Sequence, residues 1–350
     1  MSHADNIHQG WRNLFLKSYM VIIPGALFCC DFIDEISGKK ILKWYCVILF
    51  AACLFAIYNA FQNYSNTGIS SAFLYHDLVS IYSGHAIQFS ILVFVALLHL
   101  FELLQGKEFL FSKYFHFFLI PFFLIFLFLL SSKLVISFVF IYFLFVVIRS
   151  LRLKSVSKPF IFLSILVFIV FSSIILFSKN PINNRFKEIA DTDFDFLKKE
   201  KYDPGLYFNG LQFRMLQWRF VPRILIEKKA WLTGVSLGDA QSDLDQKYIS
   251  ANIYIGTKAR HDKGFIGYNT HNEFLESLLQ TGIPGLLAFL LVTGALIKMI
   301  LKQKKAELSF VTILLIIYSL NESVLESQYS LYIFLFFPAF FYLNKKGYGR

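Results

Sequence analysis

The sequence predicts an all-α polytopic membrane helical bundle of about nine spans with one large, partly helical external loop, and three observations carry that expectation. The 350 residues are 56% hydrophobic, 43 of them Phe, with a mean hydropathy of +0.57. No single soluble core of this size hides so much apolar surface, whereas lipid solvates the outer faces of a helical bundle. The apolar residues are gathered into runs long enough to cross about 30 Å of hydrocarbon. The basic residues fall in short clusters between those runs, which is how orientation in a membrane is encoded. The net charge of +11 is therefore read as a topology signal, and no nucleic-acid partner is expected.

Taken in order, the apolar runs lie near 14–31, 41–60, 86–104, 114–131, 133–149, 159–178, 280–300, 308–322 and 327–344, the first being the weakest. One set of connections is basic: Lys39, Lys40 and Lys43; Lys107 and Lys113; Arg149, Arg152, Lys154 and Lys158; Lys298, Lys302, Lys304 and Lys305; then Lys345, Lys346 and Arg350. The intervening short connections 61–85 and 321–328 carry no Lys or Arg, and 131–133 carries only Lys133. The two kinds alternate at every crossing, which places the basic connections in the cytoplasm and 179–272 outside. The expected organisation is thus 1–178 as amino-terminal membrane helices (about six spans), 179–272 as a large periplasmic loop, and 273–350 as three carboxy-terminal spans.

Nine crossings leave the amino terminus outside. Either the first segment is not a true span or the chain lacks an upstream portion. The polar amino terminus and the absence of a small-residue cleavage site argue against a removable signal peptide. Cys29, Cys30, Cys46 and Cys53 lie in or beside apolar runs, so neither a disulfide framework nor a thiolate metal site is expected in the external loop.

The external segment is modestly basic and rich in aromatic residues, which suggests an anionic partner. The spacing of Leu211, Met215, Trp218, Val221, Leu225 and Ile226 predicts a helix over 209–233. Arg214, Arg219 and Arg223 lie four or five residues apart on it, and arginine suits phosphate through forked hydrogen bonds. The plainer alternative is the solvated face of an amphipathic helix. His271, in Thr270-His271-Asn272-Glu273-Phe274-Leu275-Glu276, stands where the loop meets the next apolar run. Asn269 or Thr270 is placed to cap the helix that follows, and an imidazole titrating near neutrality suits a general base. A purely structural histidine is the alternative. Gly282-Ile283-Pro284-Gly285 predicts a break that separates a short surface helix from a true span. His76, His85 and His261 are also external, but their spacing fits no metal motif. Lys133 interrupts two long apolar runs after Ser131-Ser132, either as a snorkelling lysine or as a cation facing an anionic lipid head.

These residues carry a resemblance. His271-Asn272, Leu275-Glu276 and Gly282-Ile283-Pro284-Gly285-Leu286 together resemble the signature of the O-antigen ligase and polymerase superfamily, membrane glycosyltransferases that take a glycan from a polyprenyl diphosphate. Arg214 with Trp218, followed by Trp231 and Gly234, is similar to the family's Arg-x-x-x-Trp segment. Ser131-Ser132-Lys133 resembles its Ser-Arg turn, Asn184-Arg185-Phe186 its Arg-Phe element, and Glu322, Glu326 and Gln328 its last outer turn. The similarity spans roughly residues 120–340. Two departures stand out: Lys133 replaces the family's arginine, keeping the charge but not the fork, and family members carry further spans ahead of the large loop. The shortfall at the amino end fits a shortened or mis-started chain, or a reduced variant.

The resemblance implies a bacterial inner-membrane enzyme that needs no cofactor and no metal. His271 would be the catalytic base. Arg214, Lys133 and Arg185 would bind the diphosphate, with Asn272, Trp218, Glu276 and Glu326 in support. The implied donor is an undecaprenyl-diphosphate-linked glycan and the implied acceptor the lipid A core or another lipid-linked glycan, with inversion at the anomeric carbon. A polysaccharide polymerase of the same superfamily would use the same motifs. A glycolipid transporter or flippase, the alternative of another class, would carry ionisable groups near the midplane of its spans. Convergence of Lys133, Arg214 and His271 favours the enzyme.

Overall fold

The structure, a computed structural model of the chain, describes residues 5–29, 35–82, 85–106, 108–153, 194–206, 208–257 and 262–344. Among the described residues the regular structure is helical throughout. The helices are α1 (Ile7–Cys29), α2 (Glu35–Thr67), α3 (Tyr75–Leu78), α4 (Ala86–Gln105), α5 (Lys113–Leu130), α6 (Lys133–Leu153), α7 (Gly210–Glu227), α8 (Ala240–Ser250), α9 (Glu273–Gln303), α10 (Ala306–Ser319) and α11 (Gln328–Leu343).

Among the described residues, 4 helices are long and apolar enough to cross a membrane: Gly38–Thr67, Ala86–Gln105, Lys113–Leu130 and Glu273–Gln303. The expected span at 159–178 lies outside the described residues. The last two expected spans are apolar helices of only 14 and 16 residues, shorter than the 20 or so a straight crossing requires. The weakest run, at 14–31, belongs to a helix that starts earlier and brings Gln9, Asn13 and Lys17 with it.

The chain divides into two compact units. One comprises Leu27–Lys187, Lys304–Leu314 and Phe337–Arg350. Helix α4 is its centre: apolar on nearly every side, it buries most of its length, as an all-round hydrophobic helix must. Helices α2, α5 and α6 pack against it, with Phe94 edge-on to Phe138 at 6.4 Å and Phe101 edge-on to Phe143 at 5.1 Å. Ser112 caps α5 by accepting from Phe115 N–H. Ser131, left-handed at φ 51°, ends it, and Lys133 opens α6 after this tight turn.

The other unit comprises Met1–Ala26, Glu188–Gln303 and Leu315–Phe336. Its core joins Phe196, Tyr202 and Phe208 to the buried faces of α7 and α8 and to Leu278 and Leu279 of α9. Helix α7 opens with a reciprocal cap: Asn209 Oδ1 accepts from Leu211 and Gln212 N–H, and Gln212 Oε1 accepts from Asn209 N–H at 3.1 Å. It ends at Glu227, short of the expected 233, and Ile226 is exposed although the spacing put it on the apolar face. Asp239 accepts from the N–H groups of Asp5 and Asn6, and Asn13 Nδ2 donates to the Leu237 carbonyl, so the start of α1 is fastened to the loop before α8. Burial opposes charge on Asp239, but the Ser236 hydroxyl and those two N–H groups outweigh it and hold the carboxyl below its usual range.

The expected break in α9 is present. Gly282 has φ 71° and ψ −161°, a combination essentially confined to glycine, and a Cβ there would lie 2.6 Å from the Leu232 carbonyl carbon. The segment before α8 fills the break. Val235 and Ser236 donate to the carbonyls of Leu279 and Gln280 at 2.8 and 3.1 Å, and Ile283 N–H donates to the Trp231 carbonyl at 2.9 Å. Pro284 has no N–H for the Gln280 carbonyl one turn back, and Ser236 supplies the missing donor. Gly282→Ala is expected to lower stability by about 1–3 kcal/mol, measured as a lower thermal midpoint of the detergent-solubilised chain. Gly294→Ala on the same helix, where a methyl meets nothing within 4 Å, leaves the midpoint unchanged or raises it; equal midpoints for the two variants would contradict the strained break.

Candidate functional site

His271 lies just ahead of α9, left-handed at φ 46°, a conformation that costs a non-glycine residue about 1–2 kcal/mol and persists only where neighbours enforce it. Those neighbours are side chains of the same unit. Tyr248 of α8 donates its hydroxyl to the Tyr268 carbonyl at 2.7 Å, Gln217 of α7 donates to the Asn269 carbonyl, and Trp218 Nε1 donates to the Thr270 carbonyl at 3.0 Å. The N–H groups are taken as well: Thr270 N–H by Glu276 Oε2 at 3.1 Å and His271 N–H by Asn269 Oδ1 at 3.0 Å.

The helix cap is Asn272 rather than the expected Asn269 or Thr270. Its Oδ1 accepts from Leu275 N–H at 3.1 Å, while Nδ2 donates to the Leu320 carbonyl. Thr270 and Asn269 lie two and three residues ahead of the cap position: the Thr270 hydroxyl donates to Glu276 Oε2 at 2.8 Å, and Asn269 Oδ1 accepts from His271 N–H.

The imidazole Nδ1 of His271 lies 3.1 Å from Glu322 Oε1. Arg214 approaches the same carboxylate, with a guanidinium nitrogen 3.8 Å from Glu322 Oε2. Arg214 also donates to the carbonyls of Asn321 and Gly210 at 3.2 and 3.0 Å. His271 and Glu322 are 16% and 13% exposed at their side chains and Arg214 25%, so the group is recessed yet open to a ligand. A carboxylate at Nδ1 accepts a proton in a hydrogen bond, which leaves Nε2 as the basic nitrogen. The Tyr268 ring flanks the imidazole at 5.7 Å.

Behind this group lies a buried carboxylate layer. Glu276 Oε1 accepts from Gln280 Nε2 at 2.7 Å, Gln280 also donates to Glu326 Oε1 at 2.9 Å, and Lys17 meets Glu326 at 2.8 Å. Glu273 accepts from Leu325 N–H at 2.8 Å and from the Ser277 hydroxyl at 3.0 Å. Among the described residues no three His, Cys, Asp or Glu side chains are grouped to hold a metal ion.

The structure therefore gathers His271, Asn272, Arg214, Trp218, Glu276 and Glu326 in one unit. Lys133 opens α6 in the other unit, and Arg185 lies outside the described residues. Arg219 and Arg223 are committed elsewhere: both pair with Glu200, at 2.8 and 2.5 Å, and the Arg223 hydrogen bond holds the Glu200 carboxyl below its ordinary range. Their expected role as an anion-binding face gives way to this internal clamp. Sequence reasoning placed Glu322 only in the last outer turn and missed its link to His271, along with Gln217, Tyr248 and Lys17. Lys17 left one signal, a lone ammonium inside an apolar run, where an ionisable group demands a partner.

Residues 117–290 match the family model described as O-antigen ligase. No curated protein and no solved structure matches the chain. The matched stretch includes Lys133, Arg214, Trp218, His271, Asn272, Glu276 and the break at Gly282; Glu322 and Glu326 follow it. Family members are glycosyltransferase-like ligases and polymerases acting on lipid-linked glycans. Membrane-type helices accompany the match, as expected of a bacterial membrane protein. Over residues 117–290 the chain therefore carries an O-antigen ligase family domain.

Proposed function

We propose that the chain transfers a glycan from undecaprenyl diphosphate to an acceptor hydroxyl, the lipid A core in the first instance, at the periplasmic face of the bacterial inner membrane. The observation that carries this reading is the sharing of Glu322 by His271 and Arg214, which sets a base beside a phosphate-binding cation. The charge alternation along the chain supports placing 179–272 outside, where isoprenoid-linked sugars are presented.

In the reaction, the acceptor hydroxyl attacks the anomeric carbon from the face opposite the diphosphate. The new C–O bond forms as the bond to the phosphate oxygen breaks, inverting the centre, and His271 Nε2 takes the hydroxyl proton. Glu322 holds the ring through Nδ1 and offsets the charge of the imidazolium. Undecaprenyl diphosphate leaves as an anion and needs charge neutralisation rather than protonation. Arg214 supplies it. Trp218, Asn272, Glu276 and Glu326 hold the frame.

His271→Ala is expected to reduce transfer by about 10²–10⁴-fold in a cell lacking the chromosomal gene, read as loss of long glycan chains on the lipid core; normal transfer removes His271 from the mechanism. Retention of a single repeat unit on the core would instead indicate a polymerase. Glu322→Gln keeps the shape but loses the charge, and a fall in kcat with little change in donor KM is expected. Chelator leaves the rate of the purified enzyme unchanged; collapse of the rate would overturn metal independence.

A further inference from the structure

Lys17 stands on α1, far in sequence from the histidine, and its side chain is 17% exposed. Its Nζ donates to Gln280 Oε1 at 2.5 Å and pairs with Glu326 Oε1 at 2.8 Å. The Gln280 amide is thereby fixed in orientation: its oxygen faces the ammonium and its nitrogen donates to Glu276 and Glu326. Reversing the amide would set nitrogen against nitrogen and oxygen against two carboxylates. Glu276, so held, uses its other oxygen to accept both the N–H and the hydroxyl of Thr270, the residue that precedes His271. The position of Lys17 is itself built in. Asp239 and the Leu237 carbonyl fasten the start of α1, and Gly238 leaves room for the Asn6 carbonyl, which a Cβ would strike.

We propose that Lys17 is a positioning residue for His271, acting through Gln280, Glu276 and Thr270. The proposal rests on the reading of His271 as the base. Glu276 and Glu326 share one amide in a buried setting, where two like charges repel strongly, and Lys17 is the cation that offsets them. Without it the carboxylates separate or take up a proton, Glu276 releases Thr270, and the left-handed turn at His271 loses a support. Lys17 contacts Gln280 and Glu326 rather than His271 or Arg214, so its loss acts on the geometry of the base. A snorkelling or merely stabilising lysine would behave differently.

The test measures initial rates of transfer from a purified undecaprenyl-diphosphate-linked glycan in membrane vesicles of the producing cell, which carry the native acceptor, with chain abundance normalised by immunoblot. Lys17→Met should lower kcat by about 10–100-fold while leaving donor KM nearly unchanged. Lys17→Arg should restore most of the rate. Lys17→Met combined with Glu326→Gln should recover part of it, because the uncompensated buried charge is gone. A wild-type kcat for Lys17→Met alongside an inactive His271→Ala overturns the relay and leaves the base assignment standing. An active His271→Ala overturns the base assignment, and the relay with it. A loss that neither Lys17→Arg nor the double variant relieves, accompanied by loss of chain from the membrane, marks a merely structural lysine and also overturns the proposal.

Discussion

The site depends on one constraint: the backbone of 268–272 follows neither helix nor strand and is held by side chains. Buried peptide groups must find partners, and here they find them on three elements. Tyr248, Gln217 and Trp218 take three successive carbonyls, and Glu276 and Asn269 take the next two N–H groups. The aromatic core between α7 and α8 gains its functional meaning from this, since it sets the three donors at the right height. His271 adopts its left-handed conformation because each neighbouring peptide is already committed.

The break at Gly282 divides α9 into halves with opposite solvents. Ahead of it, Glu273, Glu276 and Gln280 recur at helical spacing and face a buried polar layer. Beyond it, Leu287, Leu290 and Leu291 are exposed, as side chains facing lipid are. A straight rod would carry the carboxylates around with the apolar stripe. The bend frees the Leu279 and Gln280 carbonyls, and a membrane-bordering helix tolerates freed groups only where neighbouring protein satisfies them. The loop at 231–236 does so, which ties the segment between α7 and α8 to the helix at the point where polar packing ends.

Much of this was legible in the chain. Apolar runs and basic clusters gave the membrane class. Gly282 and Pro284 marked the break because the φ 71°, ψ −161° conformation is open almost only to glycine and a missing N–H belongs to proline alone. The spacing of Leu211, Met215, Trp218, Val221 and Leu225 marked α7. What stayed hidden were pairings between distant segments. Arg214, Arg219 and Arg223 look alike along the helix, and only the fold reveals that two of them meet Glu200 while the third reaches Glu322. The cap also depends on the fold: Thr270 has the right chemistry, but the left-handed turn at His271 delays the helix to Glu273, and Asn272 caps it. The first apolar run looked like a poor span because its polar residues pack within the unit that holds His271, where Asn13 and Lys17 find their partners.

Glu322 gives the proposed reaction its charge balance. At rest the carboxylate faces one cation, Arg214, and a histidine able to take a proton at Nε2. As the acceptor is deprotonated, the imidazole becomes a second cation against the same carboxylate while negative charge builds on the departing diphosphate. Positive charge thus increases on the protein as negative charge increases on the leaving group, within a recess where such changes are poorly screened by water. Replacing Glu322 with a neutral residue would leave two cations facing each other at that moment, raising the energy of the protonated histidine when it is required. In the proposed reaction the carboxylate therefore does more than orient a ring: it lets His271 and Arg214 act side by side.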